Sequence, residues 1–290
     1  MIQKAAPVFV TGAAILWGIL VIFIKNLSSA GLESMEIVSL RAYGAALVLM
    51  IGLLLYNKKL LKIRLKDAWC FVGTGVVSIV FFSYCYFKNV TVSSVAVSSI
   101  LMYTSPIWVT LFARVVFGEK ISRRKLMALV MAFAGCVLVS GITGGVGRVS
   151  AEGLLLGLGS GIGYGLYSIF GRIALEKGYH PMTVSAYTFL FACVGVLPFI
   201  KPAEILTKMN AAPGLWGWAF CMVLFSTCMS FTLYTIGLKY MEAGRAAVLA
   251  TLEPIVTTLV GVVLYKEMLS LVMTLGIVLV LGASVLISRK

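Results

Sequence analysis

The residues of this chain that could do chemistry are few, and each stands in an apolar run. Glu253 sits between Val248-Leu249-Ala250-Thr251-Leu252 and Pro254. A carboxylate in such surroundings persists only if it is paired, hydrogen-bonded or turned toward water. There it could contact a cation or a substrate, or take up and release a proton; alternatively it hydrogen-bonds backbone freed by Pro254. Arg41, in another apolar run, could pair with Glu253, meet an anionic group, or extend to the polar edge of its helix. Trp17, Tyr103 and Tyr164 offer apolar faces that also attract cations. Each could equally serve only to pack one helix on another.

Other chemistries lack their residues. The one histidine, His180, precedes Pro181 at a helix start, which leaves neither a Ser-His-Asp triad nor a histidine metal site. The six cysteines fall in apolar runs without a CxxC pair and read as small core residues. Gly153, Gly157, Gly161 and Gly165, with Gly159 and Gly163, imitate a dinucleotide-binding fingerprint. No strand precedes them and no suitable acid follows, so they read as a smooth helix-packing face. No phosphate-binding loop is present. The expectation is a protein that is not an enzyme and needs no metal or cofactor.

The elements that position these residues are set by composition. Of 290 residues, 61% are hydrophobic and 12% charged, at a mean hydropathy of +1.05. A water-soluble domain carries about 25% charged residues. A surface this apolar is stable only against lipid. The net charge of +14 is spread in short blocks between apolar runs rather than along a stripe, which argues against nucleic acid. A helix crosses a bilayer with roughly 20 apolar residues. Ten such runs are legible: 7–25, 35–56, 67–87, 94–117, 123–141, 152–172, 181–200, 213–236, 243–265 and 269–288. Lys4 and Ser28-Ser29-Ala30 give the first run the flanks of a signal peptide, but it has the length of a full span and is read as one.

Lysine and arginine set the orientation. With the N-terminus in the cytoplasm, sixteen lie on inner loops and termini and six on outer loops, with Arg41 and Arg114 inside spans. Both termini are therefore expected inside the cell, and Arg114 is expected to reach the inner interface.

The chain repeats itself. Pro106 to Glu119 parallels Pro254 to Glu267 without a gap at an offset of 148, and Tyr86 matches Tyr234. Trp17-Gly18 matches Tyr164-Gly165 at an offset of 147. Residues 1–141 and 152–290 are thus expected to be two five-helix halves. Five is odd, so the second half enters the membrane from the opposite side. Inverted repeats of this kind place a solute site near the midplane. At about 1.5 Å per residue, Trp17, Tyr103, Tyr164 and Glu253 all lie roughly 14–18 Å deep. Pro106 and Pro254 interrupt helices 4 and 9 at matching positions and are candidate hinges. Glu119 and Glu267 end those helices, as gate residues or as exposed ion pairs; Glu119 has Lys120 and the block from Arg123 to Lys125 within reach. Tyr84, Tyr86 and Tyr234 lie near helix ends and read as interfacial residues, with Tyr84 also a candidate outer gate.

Several of these features together resemble a known family. Trp17, Arg41, the stretch Ser93-Ser94-Val95-Ala96 to Ser105-Pro106 and Gly118-Glu119, and its second copy from Ala243-Gly244 to Glu253-Pro254 and Lys266-Glu267 are similar to the EamA-type branch of the drug/metabolite transporter superfamily. The resemblance covers essentially the whole chain. It implies a basket of ten helices around a central cavity in the cell membrane, and export of amino acids or other small metabolites. Lys266 departs from it, standing where the first copy has Gly118, and the outer end of helix 9 is expected to pack differently. The expectation is an all-α secondary transporter working by alternating access, its partners the lipid bilayer and a small solute. Proton coupling and a weak homodimer stay open. The alternatives are uptake of an organic anion or nucleotide sugar, and a lipid-handling membrane protein.

Overall fold

A computed structural model describes residues 2–140, 150–212 and 214–288, with the side chains of residues 2–4 set aside. Among these residues every regular element is helical. The long ones are α1 (Ala5–Ser29), α2 (Ser34–Tyr56), α3 (Leu65–Val92), α4 (Val95–Phe117), α5 (Arg123–Val139), α6 (Ala151–Glu176), α7 (Pro181–Phe199), α8 (Gly214–Tyr240), α9 (Ala243–Tyr265) and α10 (Leu271–Ser288). Nine of them are long and apolar enough to cross a membrane, and α5, at 17 residues, is shorter. The expected break from Gly141 to Gly147, together with Arg148, Arg289 and Lys290, lies outside the described residues.

Short polar signals start these helices. Ser94, Ser122 and Ser150 each accept a hydrogen bond from a backbone N–H three residues on, at 3.2, 3.1 and 3.0 Å. Glu33 and Glu36 close α2 with a reciprocal capping box. Among the described residues the turns after α1, α3, α4, α6, α8 and α9 span two to five residues.

The packing is arranged in matched pairs. α1 lies against α8 and α9, and α6 against α3 and α4; α2 meets α7, and α5 meets α10. Exchanging the first five helices for the last five leaves this set unchanged. The irregularities match as well. π-helical turns occupy Gly73–Phe81 in α3 and Leu224–Met229 in α8. α4 breaks at Tyr103-Thr104 and α9 at Thr251-Leu252, each just before its proline. Two glycines at matching positions allow close crossings. A Cβ on Gly18 would strike the Val256 side chain and the Glu253 carbonyl, and one on Gly165 would lie 2.9 Å from Val109 Cγ2 and 3.2 Å from the Ser105 carbonyl oxygen. Small residues let helices approach where apolar attraction to lipid gives no preference.

The expected difference at the outer end of α9 lies in side-chain packing and not in the backbone, since Glu119 is buried and Glu267 about half exposed. Gly118 and Lys266 end α4 and α9 in the same left-handed conformation, with φ of 67° and 58°. The lysine therefore does not change the backbone at that end; it adopts the glycine geometry at a cost of roughly 1–2 kcal/mol.

Candidate substrate cavity

A cavity of about 600 Å³ opens between the helices, within the 300–1,000 Å³ usual for small-molecule sites. Val95, Val90, Ser34 and Lys25 line one end of it; α1 and α3 finish, and α2 and α4 begin, at that end of the bundle. Val95 is exposed there, and so is nearly half of the Lys25 side chain. Its depth is lined by Trp17, Tyr167, Ser168, Phe231 and Tyr234.

The deep wall is a set of interlocking rings. Trp17 stands 5.2 Å from both Phe231 and Tyr234 and 6.3 Å from Tyr164, centroid to centroid. Phe82 lies 5.1 Å from Tyr164. Three of the hydroxyls are spoken for: Tyr234 shares a hydrogen bond with Ser168 and Tyr167 with Thr235, each at 2.7 Å, and Tyr86 with Ser99 at 3.2 Å. Oriented in this way, the rings turn apolar faces rather than hydroxyl groups into the space.

Two charged groups face this aromatic wall. Tyr164 donates a 2.8 Å hydrogen bond to Glu253 Oε2, joining α6 to α9. The helix break puts Glu253 at the first turn of the second segment of α9, where the free N–H groups favour a negative charge. Arg41 on α2 reaches across to α8, its Nε donating to Thr227 Oγ1 at 3.2 Å. Thr227 belongs to the π-helical turn and donates to the Met222 carbonyl oxygen, so that turn aims the hydroxyl. Arg41 and Glu253 line the same cavity without forming a salt bridge. In the first half the place of Glu253 is held by Ser105, which also lines the cavity. One carboxylate and one guanidinium in a cavity lined by aromatic rings can hold a molecule that carries both charges on an apolar body.

The opposite end of the bundle is closed by buried ions. Glu119, 7% exposed, accepts from Lys125 Nζ at 3.0 Å and from the backbone N–H groups of Ala243 and Gly244 at 2.7 and 3.3 Å. The carboxylate at the end of α4 thus caps the start of α9. Lys125, 3% exposed, also meets Glu242 at 2.8 Å, and Arg172 lies 3.7 Å from Glu119 and donates to the Met241 carbonyl at 2.8 Å. The counterpart at the cavity mouth is looser. Glu267 lies 3.5 Å from Lys25, both about half exposed, and Lys25 sits 3.4 Å over the ring of Tyr265.

The structure brings Trp17, Arg41, Tyr103, Tyr164 and Glu253 into one cavity lining. Pro106 and Pro254 open the second segments of the broken helices. Tyr84 lies elsewhere, 41% exposed and 5.2 Å from Phe199. Glu119 is buried, where an exposed pair was the blander expectation. Two tyrosines read as interfacial are corrected: Tyr234 is 3% exposed and Tyr86 lines the cavity. Both belong to helices that run on four or five residues past the ends read from hydropathy, to Val92 and Tyr240. Phe82 and Phe231 went unread; the spacings Phe82 to Tyr86 and Phe231 to Tyr234 put each pair on one helix face.

Known proteins bear on this arrangement. The sequence matches the EamA-like transporter family over residues 4–141 and again over 151–289. An uncharacterized transporter of Archaeoglobus fulgidus is 26% identical over 275 residues, covering 94% of this chain and 95% of that one. The uncharacterized transporter YwfM of Bacillus subtilis is 28% identical over 222 residues, 76% of this chain and 74% of the relative. The uncharacterized inner membrane transporter YicL of Salmonella typhimurium is 24% identical over 284 residues, 95% and 92% of the two chains. A chain of known crystal structure superposes with a TM-score of 0.80 at 19% identity, covering 97% of this chain and 96% of its own length, a likeness of fold. With two matches that together span nearly all of its length, this chain belongs to the EamA-like transporter family and is a multi-pass membrane protein.

Proposed function

We propose that the chain is a secondary transporter of the cell membrane that carries amino acids or related small metabolites by alternating access, in the outward direction. Residues 1–141 and 152–290 act as two inverted halves of five helices each, with α5 as the fifth span and both termini in the cytoplasm. The matched helix breaks, π-helical turns and glycine crossings support that reading, as does the excess of lysine and arginine on the loops assigned to the inside.

One observation carries the proposal: the cavity meets the surface at one end of the bundle, passes Glu253 and Arg41, and stops short of a buried ion cluster that ties the two halves together at the other. In the proposed orientation the open end faces outward. Trp17 and Tyr164 hold an apolar side chain, Glu253 takes its ammonium or a proton, and Arg41 takes its carboxylate. Pro106 and Pro254 allow the half-helices to tilt. Glu119 and Glu267 serve as the two gates, with Tyr84 supporting the outer one.

The test is solute flux in proteoliposomes of purified protein, with a panel of amino acids and amines, with and without an imposed pH gradient. Saturable flux that follows the gradient and is lost in Glu253→Gln supports a proton-coupled carrier. Saturable flux indifferent to the gradient leaves a facilitator, and no flux from folded protein overturns the transport reading.

A further inference from the structure

A second pocket lies on the end of the bundle that carries the α2–α3 and α6–α7 turns, apart from the aromatic cavity. It encloses about 250 Å³ and is lined by Lys59, Lys62, Arg64, Lys177, Tyr179 and Thr183, among others. Its floor is braced by Asp67, a 1%-exposed carboxylate that accepts from Lys177 Nζ at 2.7 Å, Arg64 Nε at 2.7 Å and the Tyr179 hydroxyl at 2.9 Å. Its rim is pinned to α7: Thr183 donates to the Leu60 carbonyl at 2.8 Å and Tyr187 to the Leu61 carbonyl at 2.6 Å. The Arg64 backbone N–H donates to Tyr179 at 3.0 Å. An orientation bias explains loose lysines on such a turn. It does not explain a concave site whose cations are held in place by a buried acid.

Four cationic side chains against one carboxylate leave the pocket positive. Lys59 and Lys62 make no ion pair among the described residues, so their charge is available to a ligand. Exposed apolar side chains stand near the pocket. Tyr56 and Leu65, at the ends of α2 and α3, are 74% and 88% exposed; Trp69 is half exposed, with Lys177 Nζ 5.7 Å from its ring. A ligand seated here would place a phosphate among the cations and apolar chains along these residues. We infer that this pocket binds the headgroup of an anionic glycerophospholipid from the surrounding leaflet, a site apart from the transport reading. A zwitterionic headgroup fits poorly, because its ammonium would face the same cations.

The experiment titrates the full chain in detergent with dihexanoyl phosphatidylglycerol, dihexanoyl phosphatidylcholine and inorganic phosphate, reading the thermal midpoint and the bound lipid by native mass spectrometry. Phosphatidylglycerol is expected to bind about twenty-fivefold more tightly than phosphatidylcholine, roughly fivefold for each of two lysines, and more weakly as salt rises. Lys59→Gln with Lys62→Gln is expected to erase most of that preference while leaving the ligand-free midpoint unchanged; the salt dependence of the unaltered protein reads the same electrostatics without a substitution. Equal binding of the two lipids, or a preference that survives the double substitution, overturns the inference. So does inorganic phosphate binding as tightly as phosphatidylglycerol, which would make this a site for small anions.

Discussion

The Tyr164 hydroxyl and Glu253 Oε2, 2.8 Å apart, join α6 to α9, two helices of the second half of the sequence. A proton or cation arriving at Glu253 must either keep that bond or replace it. Occupancy at Glu253 therefore bears directly on the contact between these two helices. Glu253→Gln keeps the shape and removes the charge, and is expected to lower gradient-dependent flux by more than tenfold. Tyr164→Phe keeps the charge and removes one hydrogen bond to it, worth about 1.5–3 kcal/mol, and is expected to slow flux while leaving its dependence on the gradient intact. Initial rates in proteoliposomes separate the two; equal losses would show that the bond, not the charge, is what matters.

Arg41 divides the candidate solutes by charge. Its guanidinium lines the cavity and is oriented by Thr227 Oγ1. Arg41→Gln is expected to weaken amino acids by about tenfold or more, as for a lost charge-assisted hydrogen bond, and to leave amines that lack a carboxylate nearly unaffected. Thr227→Ala should produce a smaller loss with the same selectivity. Competition by unlabelled amino acids and amines against one labelled solute measures both.

The buried cluster at the closed end is expected to dominate the stability of this conformation. Glu119→Gln leaves Lys125 with Glu242 alone and weakens the cap on α9. Removing one partner of a buried pair costs about 3–5 kcal/mol. The midpoint of thermal unfolding should fall by several degrees. A cysteine placed at Ala247, in the cavity lining, should then react with a membrane-impermeant thiol reagent added from the closed side in a cysteine-free background.

Gly18 sets the distance between α1 and α9. An added methyl there meets the Val256 side chain and the Glu253 backbone. Gly18→Ala is expected to destabilise by about 1–3 kcal/mol and to move Glu253 with it. Gly159→Ala, where the nearest atom is Cys85 Sγ at 3.4 Å, is the control that should be tolerated. Melting curves in detergent compare the two.

Outside the spans, a hydrogen bond from Lys208 to Glu36 raises the lysine pKa above its ordinary value. A group whose pKa is raised by folding stabilises fully below its unfolded value, and that contribution is lost as pH climbs through the folded one. The short helix Pro202–Asn210 should therefore loosen only at strongly alkaline pH. Lys208→Met should remove that dependence, as read by amide exchange of the helix across a pH series with the intrinsic rates divided out.

Much of the site was legible because depth along a helix is arithmetic. Counting residues from the span ends put Trp17, Tyr103, Tyr164 and Glu253 at one level, and all four line the cavity. The same arithmetic misplaced Tyr86 and Tyr234. Lys88 and Lys239 suggest an early membrane edge, yet the helices continue past them to Val92 and Tyr240. The ion cluster was half legible. Lys125 was within reach of Glu119 in sequence, but the amides of Ala243 and Gly244 lie 124 and 125 residues away and carry no side-chain signature. The Thr227 partner of Arg41 was hidden for a related reason: the π-helical turn that aims it leaves no mark in an apolar run of ordinary composition.

The two ends of the bundle also differ in what the surrounding solution does to them. The ion pair at the mouth, Lys25 with Glu267, is about half exposed, whereas Glu119 and Lys125 are sealed off. Dissolved ions screen exposed charges within a Debye length of about 8 Å at physiological ionic strength, and reach buried pairs far less. Raising ionic strength in the compartment that the mouth faces would loosen that contact, while the same change on the other side would leave the sealed cluster largely as it is. One end of the bundle thereby responds to the saltiness of its compartment, and the other stays nearly deaf to its own.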